Sequence, residues 1–179
     1  QIQQEWDEVV DEIQVWANST LDNDIRTANI HASIARDRGQ MDAVSEIWDR
    51  FIKTREGSEA YPAAVIAAAD FLQRASRFEQ AITLLQSARE FQSEQKELDA
   101  ALGSVLYIIG RQEEAAESLG IAVSATSDRI LHARWIESLA LSGQFDAAEQ
   151  ALVGYQSTNT SYSDAMLRAL ISRVKSEQL

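Results

Sequence analysis

The chain has no cysteine among its 179 residues, which excludes disulfides, thiolate nucleophiles and cysteine-ligated zinc. One proline and seven glycines leave little material for tight β-turns. Each glycine stands alone, so no glycine-rich phosphate loop is available. The two histidines, His31 and His132, are far apart, and neither belongs to a metal-binding pair of the His-Glu-x-x-His kind. No apolar run approaches the roughly 20 residues that span a bilayer, and no charged-then-apolar signal segment opens the chain. Basic residues are scarce: 16 Lys and Arg stand against 28 Asp and Glu, a net charge of -12. That balance repels a phosphate backbone and argues against nucleic acid and anionic membranes as partners.

What is present is helical. Runs of Ala, Leu, Glu, Gln and Arg favour helix, and 45% apolar residues suffice for a sizeable core. A small residue followed five positions later by Ala or Val recurs in RGQMDAV at Gly39, ASRFEQA at Ser76, IGRQEEA at Gly110 and SGQFDAA at Gly143, in steps of 37, 34 and 33 residues. After each turn an apolar stripe follows at helical spacing: Val44, Trp48, Phe51; Ala81, Leu85, Ala88; Ala115, Leu119, Ala122; Ala148, Leu152, Tyr155. Before each turn lies a second stripe: His31, Ala32, Ala35; Ala68, Ala69, Leu72; Leu102, Gly103, Leu106; Trp135, Ile136, Leu139. Each unit therefore reads as helix, short turn, helix. Ser58-Glu59, Ser93-Glu94, Ser127-Asp128 and the stretch from Ser161 to Asp164 separate the units and can cap helix starts.

The expected organisation is a lone second helix over 1–18, repeats at 22–56, 59–92, 94–126 and 128–157, and a terminal or capping helix at 161–179, about ten helices in all. A start at Gln1 on a second helix predicts a fragment of a longer protein. The period, the hairpin pattern and the run ALGSVLYIIGRQEEAAESLGIAVSATSD resemble tetratricopeptide repeats. Gly103 after Leu102 matches that family's small crossing residue, and Ala81, Ala115 and Ala148 match its second-helix alanine. Trp48, Leu85, Leu119 and Leu152 match its large apolar position. The early tryptophan is missing, and Glu56, Ser93, Ser127 and Thr160 stand where the closing proline would be. The resemblance implies an all-α, right-handed α-α superhelix whose first helices line a concave face that holds a segment of another protein.

Projecting the first helices onward from their core stripes assigns to that face Arg26, Asn29, Ser33, Arg36, Ile66, Asp70, Gln73, Arg74, Ser104, Tyr107, Ile108, Arg134 and Glu137. Arg and Tyr combine directional bonds with apolar area; the plain alternative is the solvated side of amphipathic helices. Co-chaperone members hold a partner's C-terminal carboxylates with lysine and asparagine, but Asn29, Ser33, Ala67, Glu97 and Ala101 occupy those places here. His31 reads as a hydrogen-bonded core residue and His132 as a surface residue at a helix start. Trp6, Trp16, Trp48 and Trp135 have packing spacing, and Asn18 and Asn159, in glycosylation sequons, read as capping loop residues. The first 25 residues hold seven acids and no Lys or Arg, which could attract a basic surface or form a solvated helix face.

No catalytic residue, metal ligand or cofactor is assigned. The expected function is a non-catalytic protein-binding scaffold with no direct membrane insertion by these residues. In style the repeats resemble periplasmic repeat regions of bacterial envelope and exopolysaccharide-export assemblies, which implies such a setting as an expectation. Two alternatives stay open: the substrate-recruiting part of an enzyme whose catalytic domain lies elsewhere, and a structural module that self-associates through open solenoid ends. Compartment is left open, with a periplasmic or otherwise extracytoplasmic setting favoured. The core stripes give a direct test: Leu119→Ala should lower stability by about 2–5 kcal/mol, and an unchanged denaturation midpoint would remove Leu119 from the core.

Overall fold

A helix ends cleanly where one residue takes positive φ and the next amide reaches back to a carbonyl of the last turn. The computed structural model, which describes residues 24–92, 96–156 and 162–177, shows this device four times. Gly39, Gly110 and Gly143 have φ of 74°, 82° and 80°, and Ser76, the residue in the glycine place, adopts 60°. At these turns the amides of Gln40, Arg77, Arg111 and Gln144 donate to the carbonyls of Ala35, Leu72, Leu106 and Leu139 at 2.8–3.0 Å. Ser76 thus takes the left-handed conformation despite its Cβ, because the turn requires it.

Nine helices form among the described residues: α1 (Ile25–Asp37), α2 (Met41–Lys53), α3 (Tyr61–Arg74), α4 (Phe78–Phe91), α5 (Lys96–Ile108), α6 (Gln112–Val123), α7 (Arg129–Leu141), α8 (Phe145–Gln156) and α9 (Tyr162–Glu177). Asp24 caps α1 by accepting from the Arg26 amide at 3.0 Å, and Asp128 caps α7 by accepting from the amides of Ile130 and Leu131. The cap at Ser127-Asp128 is therefore the aspartate. Ser58 does not cap α3: its hydroxyl donates to the Arg55 carbonyl of the preceding turn. The second helices α2, α4 and α6 start without a side-chain cap. Asp42, Glu79, Glu113 with Glu114, and Asp146 instead place negative charge in the first turns of α2, α4, α6 and α8, where the helix dipole is positive. The helix expected over 1–18, both sequons, Trp6, Trp16, Ser93-Glu94 and Ser161 lie outside the described residues.

The chain divides into two compact units, one up to Phe71 and one from Leu72. In the first unit α1 packs on α2. Trp48 of α2 meets Phe51 edge-on and Phe71 of α3 at a tilt, both with ring centroids 5.8 Å apart. His31 is buried in this core, yet its Nε2 has no hydrogen-bond partner, so it packs without the satisfied ring expected from its place in the stripe. Burial, with the nearby Arg50 charge, holds its pKa below 6.5 and keeps the imidazole neutral.

In the second unit α4 packs on α5, α5 on α6, α6 on α7 and α7 on α8, while the first helices also touch directly, α5 against α7 and α7 against α9. At Gly103 the helices approach closely: a Cβ there would lie 2.7 Å from Leu119 Cγ. One residue further along α6, Gly120 receives the indole of Trp135, whose Nε1 would stand 3.1 Å from a Cβ. Helix α6 therefore sends a knob back into α5 and offers a hole forward to α7. Ile136, Leu139, Leu152, Tyr155, Leu167 and Ile171 continue the core through α9. Every residue of the eight apolar stripes is buried except Trp135, which is half-buried.

A buried acid joins α4 to α5. The Asp99 side chain is 2% exposed and accepts from Arg89 Nη1 at 3.2 Å. The strained serine turn gives the prediction for this level: Ser76→Gly should raise stability by about 0.5–1 kcal/mol and Gly110→Ala should lower it by at least as much in urea titrations. Equal midpoints for all three proteins would show that turn conformation does not limit the fold.

Candidate interaction face on the first helices

Five of the eleven polar positions assigned to the inner face lie in the first unit, and the two helix-end positions Gln73 and Arg74 open the second. Arg26 is exposed and pairs with Asp24 at 3.4 Å. Asn29 is half-buried and donates from Nδ2 to the Ile25 carbonyl, one turn back. Arg36 binds the neighbouring Asp37 through Nε and Nη2, at 3.0 and 2.9 Å, and its guanidinium stands 5.7 Å from the Phe71 ring centroid. Ser33 and Gln73 are half-buried, and Asp70 and Arg74 are exposed. Ile66 is half-buried and Ile108 exposed.

The other four come together. Ser104 and Tyr107 on α5 face Arg134 and Glu137 on α7, and all four are half-buried. The Tyr107 phenol donates to Glu137 Oε2. Arg134 Nη1 donates to Ser104 Oγ at 3.2 Å, and its guanidinium carbon lies 5.6 Å from the Tyr107 ring centroid, in cation–π range. Both hydrogen bonds join residues 30 positions apart, one repeat less about one helical turn. Adjacent first helices are thus tied by two parallel polar bridges on the side away from the core. Around them Ile108, Ile130 and Leu141 expose 46%, 63% and 40% of their surface.

The environment holds Tyr107 in its neutral, donating form. Burial raises its pKa, the hydrogen bond to and charge of Glu137 raise it further, Arg134 opposes, and the result is pushed up to about 12. Elsewhere, Arg111 binds Glu114 at 2.6 Å and Glu79 at 3.4 Å on the turn side of the unit. That pairing holds the Glu114 carboxyl below the usual range, chiefly through its hydrogen bond. His132 is half-buried rather than on the surface: Nδ1 donates to the Asp128 carbonyl at 2.9 Å and the ring stacks on Tyr155. Among the described residues no three His, Asp or Glu side chains gather as a metal would require, and no helix is long and apolar enough to cross a membrane.

Tandem helical hairpins with small-to-large crossings define a helical-repeat protein, and comparison with solved structures identifies the type. The chain is similar to a tetratricopeptide repeat protein from Parabacteroides merdae, with a TM-score of 0.65 and 12% identity over 86% of this chain. It spans 60% of that protein's structure. It is also similar to the MamA RS-1 ArsTM double mutant, with a TM-score of 0.55 and 12% identity, covering 86% of this chain and 96% of that one. No protein-family model and no curated protein matches the chain. The fold is that of an all-α, tetratricopeptide-like helical solenoid.

The bridge between α5 and α7 predicts an absorbance titration. Tyr61 and Tyr107 should ionise above pH 10. Because the folded pKa of Tyr107 is raised, its stabilising contribution is complete below pH 10 and is lost as pH rises through about 12. Glu137→Gln should bring the Tyr107 step down while leaving that of Tyr61; an unchanged curve would mean that Glu137 does not hold the phenol.

Proposed function

We propose that this chain is a non-catalytic scaffold that binds a segment of another protein on its first-helix face, centred on Ser104, Tyr107, Arg134 and Glu137. The observation that carries the reading is the pair of bridges joining α5 to α7. They fix a tyrosine and an arginine, the residue types that dominate binding energy at interfaces, on rigid helices before any ligand arrives. The exposed Ile108, Ile130 and Leu141 add apolar area beside them. Arg26, Asn29, Ser33, Arg36 and Asp70 of the first unit, with Gln73 and Arg74 of the second, are proposed as further partner contacts.

The proposed setting is a bacterial envelope or exopolysaccharide-export assembly. Divergent repeats and the absence of cysteine support it. Under the competing reading, the same face recruits substrate for an enzyme whose catalytic domain lies elsewhere; a full-length reading frame with such a domain would favour that version.

The face is tested by surface substitutions that leave the core alone. Ile130→Asp should reduce capture of partners from the native source by about fivefold or more. Glu117→Lys, on an exposed position of α6, should leave capture unchanged. Both variants should melt like the parent protein, since exposed substitutions change stability little. Loss of capture with Glu117→Lys and not with Ile130→Asp would place binding on the second helices and refute the proposal.

A further inference from the structure

Among the described residues of this acidic protein, Arg134 forms no ion pair with a carboxylate. The chain holds 28 acids against 16 bases, and Arg26, Arg36, Arg89, Arg111, Arg173 and Lys175 each lie 2.6–3.7 Å from a carboxylate. Arg134 has none among the described residues, although Glu137 stands three positions along the same helix, a spacing that ordinarily permits an ion pair. The cause is visible in the bridges. Tyr107 occupies Glu137, while the Ser104 hydroxyl and the Tyr107 ring draw Arg134 towards α5. A half-buried guanidinium, with five N–H donors and a single neutral hydroxyl accepting from it, is poorly compensated for the water it has lost. A carboxylate from outside would complete it with a charge-assisted, two-pronged bond.

The apolar surroundings say what kind of chain brings that carboxylate. Ile130 lies four residues before Arg134 and Leu141 seven after, both exposed. At the helical repeat these side chains project within about 40° of Arg134, roughly 6 Å and 10 Å away along the axis on opposite sides. A segment that covers this stripe continues past the arginine in both directions, as a chain terminus would not. Resting on the proposed function above, we infer that the partner docks across α7 through an internal Asp or Glu side chain that pairs with Arg134, flanked on each side by apolar residues that cover Ile130 and Leu141. Tyr107 is then a positioning residue: by holding Glu137 it keeps Arg134 open for the ligand.

The test uses the full chain and a displayed library of random peptides of about 16 residues, long enough as helix to pass both apolar residues. Enriched peptides should carry an internal acid between apolar residues and bind the parent protein with affinity lowered by Ile130→Asp. Arg134→Gln should weaken them about tenfold, replacing the peptide acid by its amide should do the same, and the two losses should not add. Tyr107→Phe, which removes one hydroxyl, should also weaken binding by freeing Glu137 to pair with Arg134, and adding Glu137→Gln to it should restore affinity. Thermal melts of each variant establish that it is folded. Peptides sensitive to Ile130→Asp but indifferent to Arg134→Gln, or dependent on a free C-terminal carboxylate, would overturn this inference and leave the proposed function standing. A selection with no peptide sensitive to Ile130→Asp would overturn both.

Discussion

The contact between Gly103 and Leu119 sets the spacing on which the second unit depends. A Cβ at position 103 would stand 2.7 Å from Leu119 Cγ and 3.0 Å from the Leu119 amide nitrogen, so both a side chain and a main chain block it. Only glycine lets α5 and α6 approach this closely. The approach seats Leu119 in the hairpin, and the next residue, Gly120, leaves the recess that Trp135 fills from the following helix. A leucine back and a tryptophan forward, on consecutive positions of one helix, couple three helices without a ligand or a cross-link.

Close packing of the core sides also determines what happens on the opposite side. With α5 and α7 in direct contact, Tyr107 reaches Glu137 and Arg134 reaches Ser104. The polar surface is thereby pre-assembled by the apolar one. A neutral phenol satisfies the Glu137 carboxylate and a neutral hydroxyl accepts from Arg134, so opposite charges stand on this face without forming an ion pair.

Local features were readable from sequence and cross-helix ones were not. The turns follow a single short pattern because one left-handed residue and one backward amide bond suffice to make each, which is why Ser76 could be aligned with three glycines. The apolar stripes follow from helical period alone, and Trp135 falls short of full burial because its ring lies over Gly120 near the surface. Projection placed Tyr107, Arg134 and Glu137 on one layer, but their pairing depends on the offset between neighbouring helices, which enters no single-helix pattern. The recurrent 30-residue separation is the signal that would have exposed it. Asp99 escaped because an acid within an amphipathic helix reads as solvated until its partner, Arg89, is known to lie on the preceding helix. In sequence His132 reads as a surface residue because its cover, Tyr155, comes from a later helix. Ser58 has the right chemistry for a cap, but the Arg55 carbonyl competes for its hydroxyl.

The turns also bear on how such a chain grows. Since each intra-hairpin junction is closed by main-chain bonds of the same kind, gene duplication or deletion of a hairpin would leave every splice chemically familiar. The Arg89–Asp99 pair breaks that interchangeability. A module inserted between α4 and α5 would strand an interior carboxylate without its counter-ion, so duplication at that junction carries a cost that the turns themselves do not.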